Sequence, residues 1–371
     1  MGRRIFNKKI DVVMLKAIST IPLDISFRLL GRPRVLPMNL TISVTNKCNF
    51  KCKTCNIAMK KDDELSLQEW QRVFQKYGKR IFWATFSGGE PFLRNDLAEI
   101  VCSFYDSCRP KIINIPTNGY FSNVIPRVTE SIARRCVGSQ IILNISLDDI
   151  EEKHDSIRGM PGSYRNVLTS FRSLKSMKLA NVSIGFHTVI SRFNVQRIPQ
   201  IYAHVRTLDP DSYVAEIAEE RVELNTIGSD ISPDNSLYSD AADFLISNLK
   251  FSHFNRVGKI TRAFRKEYYT MTKKVLTDHR QIIPCYSGFA SAQIAPTGDV
   301  WFCCIKADSI GNLRDVDYEF KRIWRSEKAH ELRKRIKHGE CFCPLANVSY
   351  TNIIHNIPAL AKVAGNLIAM R

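Results

Sequence analysis

No run of about 20 consecutive apolar residues occurs in the 371-residue chain, which excludes a membrane-spanning helix of ordinary length. A secretory h-region is missing as well. The N-terminal GRRIF superficially suggests a twin-arginine signal, but Lys8, Lys9, Asp11, Lys16 and Asp24 break up the segment behind it. The chain has no low-complexity stretch and no internal repeat, and its 44% hydrophobic and 24% charged residues are ordinary for a globular protein. Acidic residues are scarce beside basic ones, 36 against 54, leaving a formal charge of +18. That excess predicts an anionic partner: nucleic acid, a phospholipid surface or a phosphorylated substrate.

Eleven cysteines are present, but an odd count in a long chain without a secretory signal does not read as a disulfide scaffold. The expected setting is a reducing cytoplasm, with thiols kept for metal or packing. Cys102, Cys108 and Cys136 lie on expected helices without partner spacing, so packing is assigned to them.

From residue 39 to about 220, short β-rich runs alternate with helical segments. The strands are expected at 40–44, 81–86, 111–116, 140–146, 183–190 and 212–218. Ser66 with Glu69 forms a capping box before LQEWQRVFQKY, and Gly78 is placed to end that helix. Asn95 and Ser163 are placed to cap two further helices. Parallel strands need crossovers and cover on both faces, which predicts an α/β fold, a partial (β/α)6 barrel with ligands at the C-terminal strand ends. Residues 221–284 read as a linker followed by a basic helical segment, 225–240 being the loop, and residues 285–350 as a small cysteine-bearing domain. Residues 1–38 and 351–371 are apolar segments dotted with basic residues, which suit either packing on the body or peripheral contact with an anionic membrane.

The stretch TNKCNFKCKTCN places Cys48, Cys52 and Cys55 within eight residues, just after the first strand. Clustered thiolates favour iron or zinc over magnesium or calcium. A closed zinc site wants a fourth ligand, yet no Cys or His follows within the next forty residues. Three thiolates on a four-iron cluster instead leave one iron open. CxxxCxxC at this place resembles the signature of radical S-adenosylmethionine (radical SAM) enzymes. Further motifs similar to that family's recur in order: SGGEP (87–91), TNG (117–119) and SLDD (146–149), each ending a strand.

The resemblance implies a [4Fe–4S] cluster on Cys48, Cys52 and Cys55, with S-adenosylmethionine on its open iron. It implies cofactor contacts from Gly88, Gly89, Glu90, Asn118, Ser146 and Asp148. Glu90 and its neighbouring backbone would hold the amino group, and the two glycines, having no side chains, leave room for close ligand approach. Arg158, in EKHDSIRGMPGSY, and Asn194, in TVISRFN, are cofactor candidates with solvent-facing structural roles as the alternative. His187 is expected to be a core histidine.

Cys285, Gly298 and Cys303, with APTGDV (295–300) as a hairpin, resemble the opening of a SPASM or twitch type of auxiliary-cluster domain; SIGNL (309–313), IWRSEKAHELR (323–333) and GECFCP (339–344) continue it. A full domain of that type has more cysteines, enough for two clusters, whereas this segment has five, Cys285, Cys303, Cys304, Cys341 and Cys343. One auxiliary [4Fe–4S] cluster is expected, with Cys285, Cys303, Cys341 and Cys343 preferred and Cys304 in place of one of the closing pair as the alternative. CxC on an extended backbone points its side chains opposite ways, so the chain must turn there, at Pro344.

The resemblance further implies reductive cleavage of S-adenosylmethionine, hydrogen abstraction from a substrate by the 5′-deoxyadenosyl radical, and an electron donor such as ferredoxin or flavodoxin. The substrate expected from the charge and the reduced cluster domain is a sugar, an aminocyclitol or a lipid-linked anionic molecule, with peptide or protein maturation as the alternative. From another class, a zinc-binding nucleic-acid protein would also be basic and cysteine-bearing, but it has no use for SGGEP or an open three-cysteine site. An iron–sulfur adaptor without catalysis has no use for the cofactor motifs.

Overall fold

The computed structural model describes residues 19–59, 63–249 and 256–369. Of the apolar, basic segment expected over residues 1–38, residues 1–18 lie outside the described residues, and residues 19–30 form helix α1. Six strands then pair in parallel: β1 (Asn39–Thr45), β2 (Trp83–Gly88), β3 (Ile112–Thr117), β4 (Gln140–Ser146), β5 (Val182–Ile190) and β6 (Ser212–Ile217). All six coincide with the runs read from the sequence to within a few residues. Between them pass α2 (Leu67–Tyr77), α3 (Leu97–Cys108), α4 (Val124–Arg135), α5 (Glu151–Arg158), α6 (Ser163–Ser176) and α7 (Ile198–Thr207).

Alternation decides which face each strand buries. Ile113 and Ile115, then Ile141, Leu143 and Ile145, are fully buried under the helices, while Asn114 and Asn144 point the other way. Phe86 packs edge-on against Phe104 of α3, with ring centroids 5.4 Å apart. The helices thus line one side of a twisted sheet, and the concave side is left for a ligand.

The capping box at Ser66 and Glu69 is present, and Gly78 ends α2. Two caps differ from expectation. Asp96, not Asn95, precedes α3, and its carboxylate pairs with Arg94 at 2.7 Å instead of capping. Gly162, not Ser163, precedes α6, because Asp155 of the preceding helix accepts from the Ser163 hydroxyl and the Tyr164 amide, both at 2.7 Å.

After β6 a loop leads to α8 (Asn235–Asn248), capped by Asp234, so the helix starts inside the stretch read as loop. α9 (Arg256–Asp278) follows, then β7 (Ser291–Ile294), β8 (Asp299–Trp301) and β9 (Ser309–Asn312). β7 runs parallel to β1 and forms a hairpin with β8 at Gly298, so the sheet continues in the order β6-β5-β4-β3-β2-β1-β7-β8-β9. α10 (Phe320–Trp324), α11 (Glu327–Lys337), α12 (Ala346–Ile354) and α13 (Ile357–Ala369) complete the chain. Among the described residues no helix is long and apolar enough to cross a membrane.

Candidate active site

The cysteine loop leaves β1 at Thr45, where Glu64 accepts from the Thr45 hydroxyl and the Asn46 amide, both at 2.8 Å. Its backbone is then gripped on three sides. From β2, the Gly89 amide donates to the Thr45 carbonyl at 2.7 Å and the Glu90 amide to the Lys47 carbonyl at 2.9 Å. A Cβ on Gly88 would fall 2.1 Å from the Thr45 oxygen, and one on Gly89 2.2 Å from the Lys47 oxygen. The close approach these two glycines permit is therefore that of the cysteine loop itself. From α5, the Ile157 carbonyl accepts from the Lys53 amide at 2.8 Å, and a Cβ on Gly159 would lie 2.1 Å from the Lys51 oxygen. From the segment after β6, the Leu224 carbonyl accepts from the Asn56 amide at 2.9 Å.

Burial pushes the Cys48 thiol up to about 11 and the Cys55 thiol up to about 12, and raises Cys52 too, against the opposing pull of Arg158. Without a cation these thiols stay protonated; iron would displace their protons.

Arg158 joins this loop to the end of β4. Its Nε lies 2.8 Å from Asp148 Oδ2, and its Nη1 lies 3.8 Å from Cys52 Sγ. Burial works against the guanidinium charge, but Asp148 and Cys52 prevail and hold it firmly protonated. Asp148 accepts from the Val189 amide at 2.9 Å, and Asn194 donates to the Asp148 carbonyl at 2.7 Å and the Val189 carbonyl at 2.9 Å. The Asn194 oxygen accepts from the Ser191 amide at 2.8 Å, so this side chain fastens the β5 end to the β4 end. Ser146 is half-buried at the tip of β4.

Glu90 is 1% exposed, and burial pushes its carboxyl up to about 7 despite three donors: the Thr117 hydroxyl at 2.8 Å, the Asn118 amide at 2.7 Å and the Phe92 amide at 3.1 Å. A carboxylate has about four acceptor positions, so one remains for an ammonium group. Asn118 Nδ2 in turn reaches Asn49 Oδ1 in the cysteine loop at 2.9 Å. Gly88, Gly89, Glu90, Asn118, Asp148, Arg158 and Asn194 are thus tied, directly or through one or two neighbours, to the loop of Cys48, Cys52 and Cys55.

Around the second cysteine group, Cys285, Cys303 and Cys343 pack with Cys304, Leu345 and Val348 in one small apolar cluster, separate from the main core. Cys341 lies beside Cys303 in the wall of a neighbouring pocket with Lys306 and Arg335. Burial raises all four preferred thiols, Cys285 to about 12. Cys304, buried within the same cluster, has its sulfur 3.9 Å from Arg221 Nη1. Among the described residues no three Cys, His, Asp or Glu side chains converge tightly enough for a single metal ion. One closed zinc, with all ligands within about 2.3 Å, matches neither group, whereas a four-iron cluster is a wider body and suits buried, all-sulfur donor sets.

Some residues at this site were not singled out from sequence. Gly159 and the 221–225 segment shape the loop through backbone contacts and Glu64 through its carboxylate, and only the likeness of the stretch around Arg158 hinted at the first. The 221–225 segment also donates from Val222 to the Ile305 carbonyl at 3.1 Å, so one strap touches both cysteine regions. His187 is not a core residue: it stands half-buried with Nε2 3.3 Å from Glu216 of β6, because its position in the strand alternation faces the concave side.

A parallel sheet with an open three-cysteine loop at its C-terminal edge and a second cysteine group beside it defines a radical-based iron–sulfur enzyme. The model of the radical SAM superfamily matches residues 42–205, and that of the SPASM iron-sulfur cluster-binding domain matches residues 285–344. The chain belongs to the radical SAM superfamily and carries a SPASM domain, so its cofactors are S-adenosylmethionine, a [4Fe–4S] cluster and auxiliary iron–sulfur.

The AdoMet-dependent heme synthase of Oleidesulfovibrio alaskensis is 26% identical over 82% of this chain and 79% of its own length. The mycofactocin maturase MftC of Mycolicibacterium smegmatis is 25% identical over 82% of this chain and 74% of its own. The PqqA peptide cyclase of Granulibacter bethesdensis is 26% identical over 44% of this chain and 43% of its own. Among solved structures, native anSMEcpe with bound AdoMet and Cp18Cys peptide superposes with a TM-score of 0.58 at 15% identity, covering 91% of this chain and 100% of that one.

Proposed function

We propose that this radical SAM enzyme is a maturase that modifies a side chain of a peptide or protein. The relatives support this alternative better than the sugar, aminocyclitol or lipid-linked substrate expected from the charge. The observation that carries it is the concave face of the sheet. Asn144 donates to Asn114 at 2.9 Å, Asn114 reaches Thr85 at 3.4 Å, and His187 and Glu216 stand 3.3 Å apart, while Ser43, Gln293 and Glu223 form another polar group across β1 and β7. A row of amides, hydroxyls and paired charges suits peptide backbone and polar side chains; a flat tetrapyrrole, which the heme synthase match brings into view, wants a wide apolar slot.

In this reading Cys48, Cys52 and Cys55 hold the radical SAM cluster, and Cys285, Cys303, Cys341 and Cys343 hold one auxiliary cluster. Gly88, Gly89, Glu90, Asn118, Ser146, Asp148 and Arg158 border the S-adenosylmethionine site, with residues 39–220 as the barrel and 285–350 as the auxiliary domain. When bound, the cluster and S-adenosylmethionine supply an electron and the 5′-deoxyadenosyl group that takes hydrogen from the substrate. Glu90 presents its remaining acceptor position to the cofactor's ammonium group. Arg158 keeps positive charge beside Cys52, which favours its thiolate. The clamped loop fixes where the open iron faces. A ferredoxin or flavodoxin is the electron donor in this scheme.

The test is anaerobic reconstitution, metal analysis and turnover with dithionite. About eight irons per chain are expected. 5′-Deoxyadenosine formation should accelerate with a cytosolic peptide fraction, and protease treatment of that fraction should abolish the acceleration. Acceleration by an iron porphyrin, or by a protease-resistant sugar or lipid fraction, overturns the peptide reading.

A further inference from the structure

Among the described residues one helix face is left unexplained by packing. α1 buries Ile21, Asp24 and Phe27, the last edge-on to Phe289 with ring centroids 5.4 Å apart. Its exposed positions are Ser19, Pro22, Leu23, Leu29 and Leu30, and none is charged. Spacings of three, four and seven residues gather them on one stripe. Leu23, Leu29 and Leu30 are 42%, 56% and 78% exposed. A solvent-facing helix stripe normally carries the charges; here it carries leucines.

Around the end of that stripe the charge has one sign. Arg32, Pro33, Arg34 and Arg325 line a shallow concavity of about 570 Å³ without a carboxylate in its wall. Arg34 Nη1 donates to the Arg325 carbonyl at 3.4 Å, and Lys337 Nζ donates to the Leu29 carbonyl at 3.0 Å, so three guanidiniums border the concavity and an ammonium meets the end of the leucine stripe. None of the four forms an ion pair among the described residues. Ile357, 74% exposed, opens α13 two residues after His355, whose ring lies 3.3 Å from Asp24 of α1; it adds an apolar group near the same helix.

We propose that this face docks on an anionic phospholipid bilayer, with Leu23, Leu29 and Leu30 entering the boundary between headgroups and acyl chains and Arg32, Arg34, Arg325 and Lys337 resting on headgroup phosphates. The two features select the occupant jointly. Nucleic acid would satisfy the guanidiniums but offers nothing to an aliphatic stripe. A second copy of the chain would bring the same guanidiniums against each other. Arg28, on the side of α1 away from the stripe, donates to the Cys285 carbonyl at 3.0 Å, so the helix would stand between the bilayer and the auxiliary cysteine group. The inference does not depend on the peptide reading, since a maturase and an enzyme of a small molecule could both work at a surface.

The test is sedimentation of the reconstituted full chain with vesicles of phosphatidylcholine alone or with about 30% phosphatidylglycerol. The protein should pellet with the anionic vesicles, less so at high salt, and stay in solution with the neutral ones. Leu29→Glu with Leu30→Glu, and separately Arg34→Gln with Arg325→Gln, should each weaken vesicle binding by about tenfold or more. Iron content and S-adenosylmethionine cleavage should match wild type in both pairs, which separates a lost surface from a lost fold. The proposal is overturned if wild type does not pellet, if it pellets equally with both compositions, or if both variant pairs bind as wild type does. It is also overturned if the arginine pair loses RNA binding while the leucine pair keeps vesicle binding, or if Leu30→Glu only dissociates a dimer in sedimentation equilibrium.

Discussion

The two cysteine groups are built in opposite ways. Cys48, Cys52 and Cys55 sit on one loop, and three separate segments hold that loop by its backbone. Cys285, Cys303, Cys341 and Cys343 come from three places: the chain after α9, the end of β8 and the turn after α11. They meet only once β7, β8 and the last helices have packed. The first group needs little chain closure to form but much scaffolding to aim it; the second is a closure device in its own right, since ligands joined through a cluster would pin distant segments together.

Removing single thiols tests that contrast most severely. Cys52→Ala should abolish S-adenosylmethionine cleavage while about four irons per chain remain. Cys343→Ser should also leave about four irons, but those of the first group, and should lower thermal stability more than Cys52→Ala does. Cys304→Ser should retain about eight irons if the Arg221 guanidinium, 3.9 Å from its sulfur, takes the place of a cluster as that thiol's partner. Iron loss in Cys304→Ser equal to that in Cys343→Ser would place Cys304 in the ligand set.

The clamp is tested next, without touching a thiol. Gly159 has φ +62°, and an added Cβ would meet the Lys51 oxygen at 2.1 Å. Gly159→Ala should cost on the order of 3 kcal/mol, from overpacking against backbone plus a left-handed conformation. Its iron loss should be confined to the first group, read as lost S-adenosylmethionine cleavage with auxiliary iron retained. Gly339, φ +76° with no atom near its missing Cβ, is the control near the second group, where alanine meets only the conformational penalty.

These two glycines also show what a sequence can and cannot disclose. The strands, the three-cysteine loop and the hairpin at Gly298 were legible because each is set by local period, spacing or turn chemistry. The role of Gly159 was not, since its reason lies in a carbonyl more than a hundred residues away. For the same cause Gly88 and Gly89 read as room for a ligand, when that room is filled by the Thr45–Lys47 backbone. His187 read as core because alternation alone does not say which face of a strand is concave. The Arg221 guanidinium 3.9 Å from the Cys304 sulfur, which bears on whether Cys304 or one of Cys341 and Cys343 completes the auxiliary set, is likewise a partner that no spacing announces.

A smaller effect separates cofactor recognition from scaffolding. In the free enzyme burial pushes the Glu90 carboxyl up to about 7. Above that pH its carboxylate attracts the ammonium of S-adenosylmethionine; below it the protonated acid resembles a glutamine. Glu90→Gln should therefore weaken cofactor binding about tenfold above pH 7, with the two proteins converging as the pH falls toward about 6. Isothermal titration at both ends measures the gap, and a pH-independent gap would mean that Glu90 acts only by fastening β2 to β3.

The smallest expected effect lies where the two halves of the molecule are joined away from either cysteine group. Glu69 in α2 accepts from Arg314 Nε at 2.7 Å and from the Tyr318 hydroxyl at 3.0 Å, while also closing the capping box with Ser66. The Arg314 hydrogen bond leads in holding its carboxyl down at about 2. A depressed folded value means that its stabilisation is complete above the unfolded value of about 4.3 and is lost as the pH falls through that value toward the folded one. Glu69→Gln should cost about 1 kcal/mol at pH 7, the worth of a cap and a partly exposed ion pair, and the gap from wild type in urea unfolding should narrow as the pH falls from about 5 toward about 3. A gap that widens on acidification would show that α2 and the β9–α10 region are held by packing such as Tyr77 against Phe320, with ring centroids 4.9 Å apart, and that the ion pair contributes nothing.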